Sequence, residues 1–398
     1  MFEPVSPESV GMSARHLNRI DATMQAFVDQ GSIAGIVTLI ARHGQVVHTG
    51  TYGQLDIAAN KPIQTDSLFR VASFTKPITS VAAMMLLEEG HFQLDDPVSN
   101  WIPEFGHFKV MADNTDPQSR LVDLETEITF WHLFTHTSGL GYGFNPIPYD
   151  LIEAIYLDAK LINPKQLALQ FPLPTLMQKV AELPLAAQPG VVWQYGLNHE
   201  VLGYLIGLIS GHPFDQFLRE RIFEPLGMPD TSFYVPEAKL DRFGPMYGPP
   251  NENGLSILDE VATSPYIRPD VVPSGGGGLV STLPDYFRFM LMFANGGELD
   301  GVRLLKPETI AAMSTNQLTG SAFPIRFGAP WNGMGFGLGM GVQVTEPIRF
   351  GWIGACGSTA WIYPREDLIV IAIPQARNNF EASDALLRLA CEAVDLRR

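Results

Sequence analysis

Helix and strand patterns occur at both ends of this chain, and that doubling constrains the fold more than any other feature. Over residues 13–31, Leu17, Ile20, Met24, Phe27 and Val28 recur at helical spacing, with Ser13 placed to cap the start and Gly31 to close the end. Two β-rich runs follow over 35–41 and 45–51, and Arg42-His43-Gly44 between them predicts a tight hairpin. Near the other end, strand-like runs cover 339–344, 349–353, 359–363 and 368–373, and a closing helix covers 381–394. One antiparallel sheet completed by both termini and covered by both terminal helices would bury these faces together. The expectation is therefore an α/β (α+β) sheet domain built from 1–89 and 280–398. Helical runs at 176–183, 199–209 and 213–223, broken by Pro-rich loops, make 90–279 an inserted, mainly helical domain within a single unit spanning 13–395.

Charge narrows the partners. With 26 Lys+Arg against 42 Asp+Glu the net charge is −16, which repels phosphate backbones and anionic membrane surfaces. No nucleic acid and no membrane partner is expected, and the oligomeric state is not legible. Residues 1–11 carry no basic segment followed by an apolar one, and no run approaches the roughly 18 apolar residues of a membrane span, so the expected compartment is the cytoplasm. Two cysteines, Cys356 and Cys391, form no CxxC pair and are expected to be thiols.

The chemistry-bearing words begin with Ser73-Phe74-Thr75-Lys76, the single Ser-x-x-Lys in the chain, placed just before the apolar run 81–87. If a helix starts at Ser73, the i and i+3 side chains share a face and the ammonium reaches the hydroxyl; Pro77 is tolerated in the first turn. The same four residues also read as a capped helix start with a solvated lysine, and spelling alone does not separate the two. A lysine is slightly unfavourable at the positive end of a helix, which gives it a reason to be there other than helix stability.

The surrounding words decide more. Arg70-Val71-Ala72 leads into that motif, followed by Leu94-Asp95-Asp96-Pro97-Val98, Leu133-Phe134-Thr135-His136-Thr137-Ser138-Gly139-Leu140, Pro189-Gly190, Leu226-Gly227-Met228, Gly275 to Leu279 with Ser281 and Asp285, and Gly335-Phe336-Gly337-Leu338-Gly339. Together they resemble the serine β-lactamase-like hydrolases, and most closely the family VIII carboxylesterases, relatives of class C β-lactamases and penicillin-binding peptidases. The resemblance implies that Ser73 is acylated, with Lys76 and Tyr195 handling its proton and the choice of base between them open. It also implies an oxyanion hole made by the backbone N–H groups of Ser73 and Ala355.

Two departures from the β-lactamase pattern bear on substrate. The Tyr-x-Asn motif has Leu197 in its third position and Asn198 one step later, and Lys-Thr-Gly is replaced by Trp352-Ile353-Gly354. The cation that would bind a substrate carboxylate is missing, and an indole there favours an apolar group. Leu197, Asn198, Trp352 and Gly354 are accordingly expected to contact a small-molecule ester, cleaved in two steps through an acyl-enzyme with no metal and no cofactor. The alternatives are β-lactamase or D-amino peptidase activity, acyl transfer from the same intermediate, or an inactive binding homologue.

Other candidates read as structural. His132 and His136 have the i, i+4 spacing of helical metal ligands but no evident third ligand. Gly275 to Gly278 lacks the Lys-Ser/Thr of a phosphate loop and reads as a turn or close backbone contact, and Cys356 as a buried thiol. The chain has no Gly-x-Ser-x-Gly elbow.

Overall fold

The computed structural model describes residues 3–143, 150–252 and 254–394. Of its elements, those that frame the site are helix α1 (Arg19–Asp29), strands β1 (Gly35–Arg42), β2 (Gln45–Asp56) and β3 (Lys61–Pro62), and helices α2 (Thr75–Glu88), α3 (Asn198–Ser210) and α4 (Leu283–Ala294). The C-terminal part adds β4 (Met334–Phe336), β5 (Gly341–Gln343), β6 (Arg349–Ile353), β7 (Thr359–Tyr363), β8 (Leu368–Pro374) and helix α5 (Glu381–Ala393).

Both termini complete one eight-stranded sheet in the order β4-β5-β6-β7-β8-β1-β2-β3. Every neighbouring pair is antiparallel, and the two ends of the chain meet where β1 pairs with β8 from Ile36↔Pro374 to Arg42↔Leu368. The β1–β2 hairpin turns at His43 and Gly44, which have φ of 53° and 69°, the paired positive values a tight two-residue turn needs to match strand twist. Helices α1 and α5 pack on each other and on β2 and β8, while α4 packs on β1, β7 and β8. β8 is buried along its whole length and β1 is buried at every residue but Arg42, as a sheet covered on both faces requires. The fold is mixed α/β with a large antiparallel sheet, as expected.

The first helix differs from expectation. The 13–31 pattern breaks at Asn18 into Ala14–Leu17 and α1, and the Ser13 side chain makes no cap hydrogen bond. It pairs instead with His16 Nδ1 at 3.0 Å. Gly31 does end the segment, at φ 70°. No helix among the described residues is long and apolar enough to cross a membrane.

Helix α2 is buried at every position from Thr75 to Leu86 and packs against α3. A helix enclosed all round must satisfy any polar group it carries. Thr79 does so by donating to Gly275 O at 2.7 Å, and Ser80 by pairing with His199 Nε2 at 3.0 Å.

Candidate active site

Ser73 lies in a 3-10 turn, Ala72–Phe74, that leads into α2. The expected helix start is thus two residues later, at Thr75, and Ser73 stands on the turn rather than in a cap position. Upstream, Phe69–Arg70 pairs with Val280–Ser281. Ala72 takes φ 46°, a left-handed conformation that costs a non-glycine residue about 1–3 kcal/mol. Thr75 Oγ1 holds the turn by donating to Ala72 O at 2.7 Å and accepting from Leu279 N at 3.2 Å. Arg70 anchors its base, fully buried, donating to Asp259 Oδ2 at 2.7 Å and to Gly244 O at 2.8 Å, with its guanidinium 4.0 Å from the Phe243 ring centroid.

Lys76 is 0% exposed, and its ammonium has three oxygen partners: Gly276 O at 2.6 Å, Ser73 Oγ at 3.1 Å and Tyr142 OH at 3.3 Å. The amine has three donors and each is directed. Tyr195 presents its ring face to the ammonium, 4.6 Å from the centroid, and its hydroxyl accepts a hydrogen bond from Trp352 Nε1 at 3.1 Å. Ser73, Lys76 and Tyr195, far apart in the chain, are therefore one cluster.

A cleft of about 410 Å³ opens from this cluster, lined by Ser73, Tyr195, Trp352, Ala355, Phe327 and Trp331 among others. The aromatic wall is continuous: Trp352 lies 5.8 Å from Tyr195, 6.2 Å from Phe327 and 6.4 Å from Trp331 between ring centroids. Gly354 is required where β6 ends, because a Cβ there would lie 2.3 Å from Ser358 Oγ and 2.7 Å from Val71 O. A larger groove of about 1070 Å³, running from Leu68 past Thr231 to Val280, includes none of Ser73, Lys76 and Tyr195. Of the two, only the smaller cleft is lined by Ser73 and Tyr195.

Leu197 and Asn198 are not brought into that cleft; both are 0% exposed. Asn198 instead links Ser138 Oγ at 2.5 Å to His136 Nδ1 at 2.8 Å. Leu197, at the motif's third position, is buried in the same way, so both positions serve packing at the start of α3. The two histidines also have structural partners: His132 forms a capping box with Thr129, and burial holds its pKa down at about 4. Burial, with His199 and Lys76 nearby, holds His136 well below the usual imidazole range. Cys356 is buried 3.2 Å from Met246 Sδ, and burial pushes its thiol up to about 11, away from reactivity.

Three residues escaped the sequence reading: Tyr142, Glu200 and Ser274. Glu200, on the first turn of α3, is 0% exposed; its Oε1 accepts from Ser274 Oγ at 2.9 Å and from Tyr142 OH at 3.4 Å. Burial raises its pKa, opposed by the charge of Lys76. Tyr142 is held well above the usual phenol range by burial and by Glu200. In sequence Glu200 is an acid in a first turn, an ordinary dipole-favoured residue. The one signal present was the glycine run: a Cβ on Gly276 would lie 2.3 Å from Glu200 Oε1, so the glycine admits the carboxyl.

Residues 20–393 match the model of the family described as beta-lactamase. A Mycobacterium tuberculosis protein described as uncharacterized is 35% identical over 384 residues, 90% of each chain. Esterase EstB of Burkholderia gladioli is 30% identical over 377 residues, 90% of this chain and 88% of its own. Among solved structures, EstCE1, a hydrolase with promiscuous acyltransferase activity, is similar with a TM-score of 0.78 at 25% identity, over 95% of this chain and 98% of that one. The matched span runs from α1 to the end of α5, and by it this chain belongs to the beta-lactamase family of serine hydrolases.

Proposed function

We propose that this chain is a carboxylesterase of the family VIII type, with Ser73 as nucleophile and Lys76 and Tyr195 as its proton-handling partners. The observation that carries the reading is the buried Lys76 Nζ 3.1 Å from the Oγ of Ser73, which lines an aromatic cleft. Ser73 Oγ attacks the ester carbonyl carbon as its proton moves to the Lys76–Tyr195 pair, one member of which starts unprotonated, Lys76 as free amine or Tyr195 as phenolate; the ester C–O bond then breaks and the alcohol leaves with that proton. The carbonyl oxygen is received by the backbone N–H groups of Ser73 and Ala355, both on the cleft wall. Trp352 stands where a carboxylate-binding lysine would be needed for a β-lactam or peptide, and an apolar wall suits short to medium acyl chains.

A phosphonate or a slowly released ester tests this by intact mass: one adduct per chain, mapped to Ser73, and none on Ser73→Ala. Labelling that persists in Ser73→Ala overturns it. Acyl transfer is the second reading, favoured by the likeness to EstCE1, whose promiscuous acyltransferase activity accompanies hydrolysis. It is decided by the ratio of new ester to free acid when an alcohol competes with water.

A further inference from the structure

A second, much smaller cavity lies on the other side of Ser73. It measures about 10 Å³ and is lined by Ser73, Tyr142, Glu200, Ser274, Gly277 and Ala355 among others. That is about the space of a single water, and such a site needs two to four polar partners. Ser73 and Ala355 are the two residues it shares with the large cleft, so an acyl group on Ser73 Oγ would sit at the boundary between the two spaces.

Glu200 lines the small cavity with an unusual loose end. Its Oε1 is satisfied by Ser274 and Tyr142, but Oε2 is buried with no hydrogen-bond partner among the described residues. A buried carboxylate oxygen without a donor is costly, and a bound water is the ordinary remedy. Tyr142 OH lies between Glu200 Oε1 at 3.4 Å and Lys76 Nζ at 3.3 Å, which makes a continuous path from carboxyl to ammonium to Ser73 Oγ. Catalytic hydrogen bonds of this length commonly tighten in the reacting complex.

We propose that this cavity holds the water that cleaves the acyl-enzyme and that Glu200 receives its proton, an inference that rests on the acyl-enzyme reading above. The water oxygen bonds to the acyl carbon while one water proton passes to Glu200 Oε2 and the carbonyl electron pair moves onto oxygen. On collapse the C–Oγ bond breaks. A Lys76 proton goes to Ser73 Oγ, and once the protonated carboxyl rotates to turn its proton toward Tyr142, that proton passes through the Tyr142 hydroxyl to restore Lys76. One water is consumed, one carboxylic acid leaves, and Glu200, Tyr142, Lys76 and Ser73 return to their starting protonation. The cavity has room for water and none for an alcohol's carbon atoms, so hydrolysis uses this side while larger acceptors must enter through the aromatic cleft. The partition between hydrolysis and transfer is thereby built into the walls.

Glu200→Gln and Gly277→Ala test this with p-nitrophenyl butyrate in rapid mixing. Position 277 tolerates a methyl, since its Cβ would have Ala72 C and Tyr142 OH as its nearest neighbours, both at 3.9 Å, and both residues line the cavity. In Glu200→Gln the nitrophenolate burst keeps its rate within about threefold, steady turnover falls about 100-fold, and the butyryl adduct on Ser73 accumulates by mass; Glu200→Asp recovers part of the turnover. In Gly277→Ala the burst persists, turnover falls, and added 1-butanol raises the ratio of butyl butyrate to butyrate above wild type. Burst and turnover slowed equally in Glu200→Gln, or an unchanged ester-to-acid ratio in Gly277→Ala, overturns the water site while leaving the acyl-enzyme intact. If wild type shows no adduct on Ser73 with a slow ester, the acyl-enzyme reading itself fails.

Discussion

The Trp352 indole N–H donates to the Tyr195 hydroxyl at 3.1 Å, so the side chain that walls the cleft also orients the phenol beside Lys76. Trp352→Phe keeps an aromatic wall and removes the donor. Its kcat on p-nitrophenyl butyrate should fall about 10-fold, the size of one lost orienting hydrogen bond, with KM nearly unchanged. A rise in KM at constant kcat would assign Trp352 to binding alone.

Lys76→Met should separate activity from stability. The ammonium is enclosed in a buried helix and its three direct partners, Gly276 O, Ser73 Oγ and Tyr142 OH, are uncharged, so an apolar side chain of similar length removes a costly buried charge without stranding an ion in contact with it. Ester hydrolysis should drop by about 1000-fold or more, while the melting temperature holds or rises. A variant that melts well below wild type would make Lys76 a structural residue first.

Arg70 and Asp259 form a buried ion pair, 1% and 0% exposed at their side chains, under the turn that carries Ser73. Arg70→Met leaves Asp259 with its Ser264 Oγ and Gln166 Nε2 partners but without its countercharge, and should destabilise the fold by about 3–5 kcal/mol in urea unfolding. Adding Asp259→Leu should recover part of that loss, because the second change removes the stranded charge. No recovery would mean the guanidinium acts through its contacts with Gly244 and Phe243.

Two buried groups should bend the acid stability profile in opposite directions. Burial holds His132 down at about 4, so its contribution is complete above the ordinary imidazole value near 6.5 and is lost as pH falls from there toward 4. Burial raises Asp285 to about 6, against the hydrogen bonds it accepts from Thr231 and Asp230. Its contribution is present below about 4 and lost as pH rises through 6. Each is worth up to about 3 kcal/mol. Melts from pH 4 to 7 should show wild type gaining on His132→Asn, and losing to Asp285→Asn, as pH rises; parallel curves would contradict both.

The sheet was readable because its signals are local. The β-rich runs, the His43–Gly44 turn and the last helix each occupy a few consecutive residues, and apart from β2, which runs on to Asp56, their ends needed only small adjustment. The Ser73–Lys76 contact was readable for the same reason, since three residues along a turn place two side chains on one face. The break at Asn18 was not, because the apolar spacing continues across it. Leu197 and Asn198 were assigned by position in a motif, and the packing of His136 and Ser138 against α3 placed them in the interior instead.

Residue order alone thus dictates an antiparallel sheet closed by both termini and a serine–lysine turn in front of an apolar helix. Folding in three dimensions was needed to bring Tyr142, Glu200 and Ser274 behind Ser73, and to give Trp352 a hydrogen bond to Tyr195 as well as a wall to form. Those groups come from separate loops, a helix start and a strand. Their meeting is decided by long-range packing around Gly276, which leaves no periodic trace in the chain.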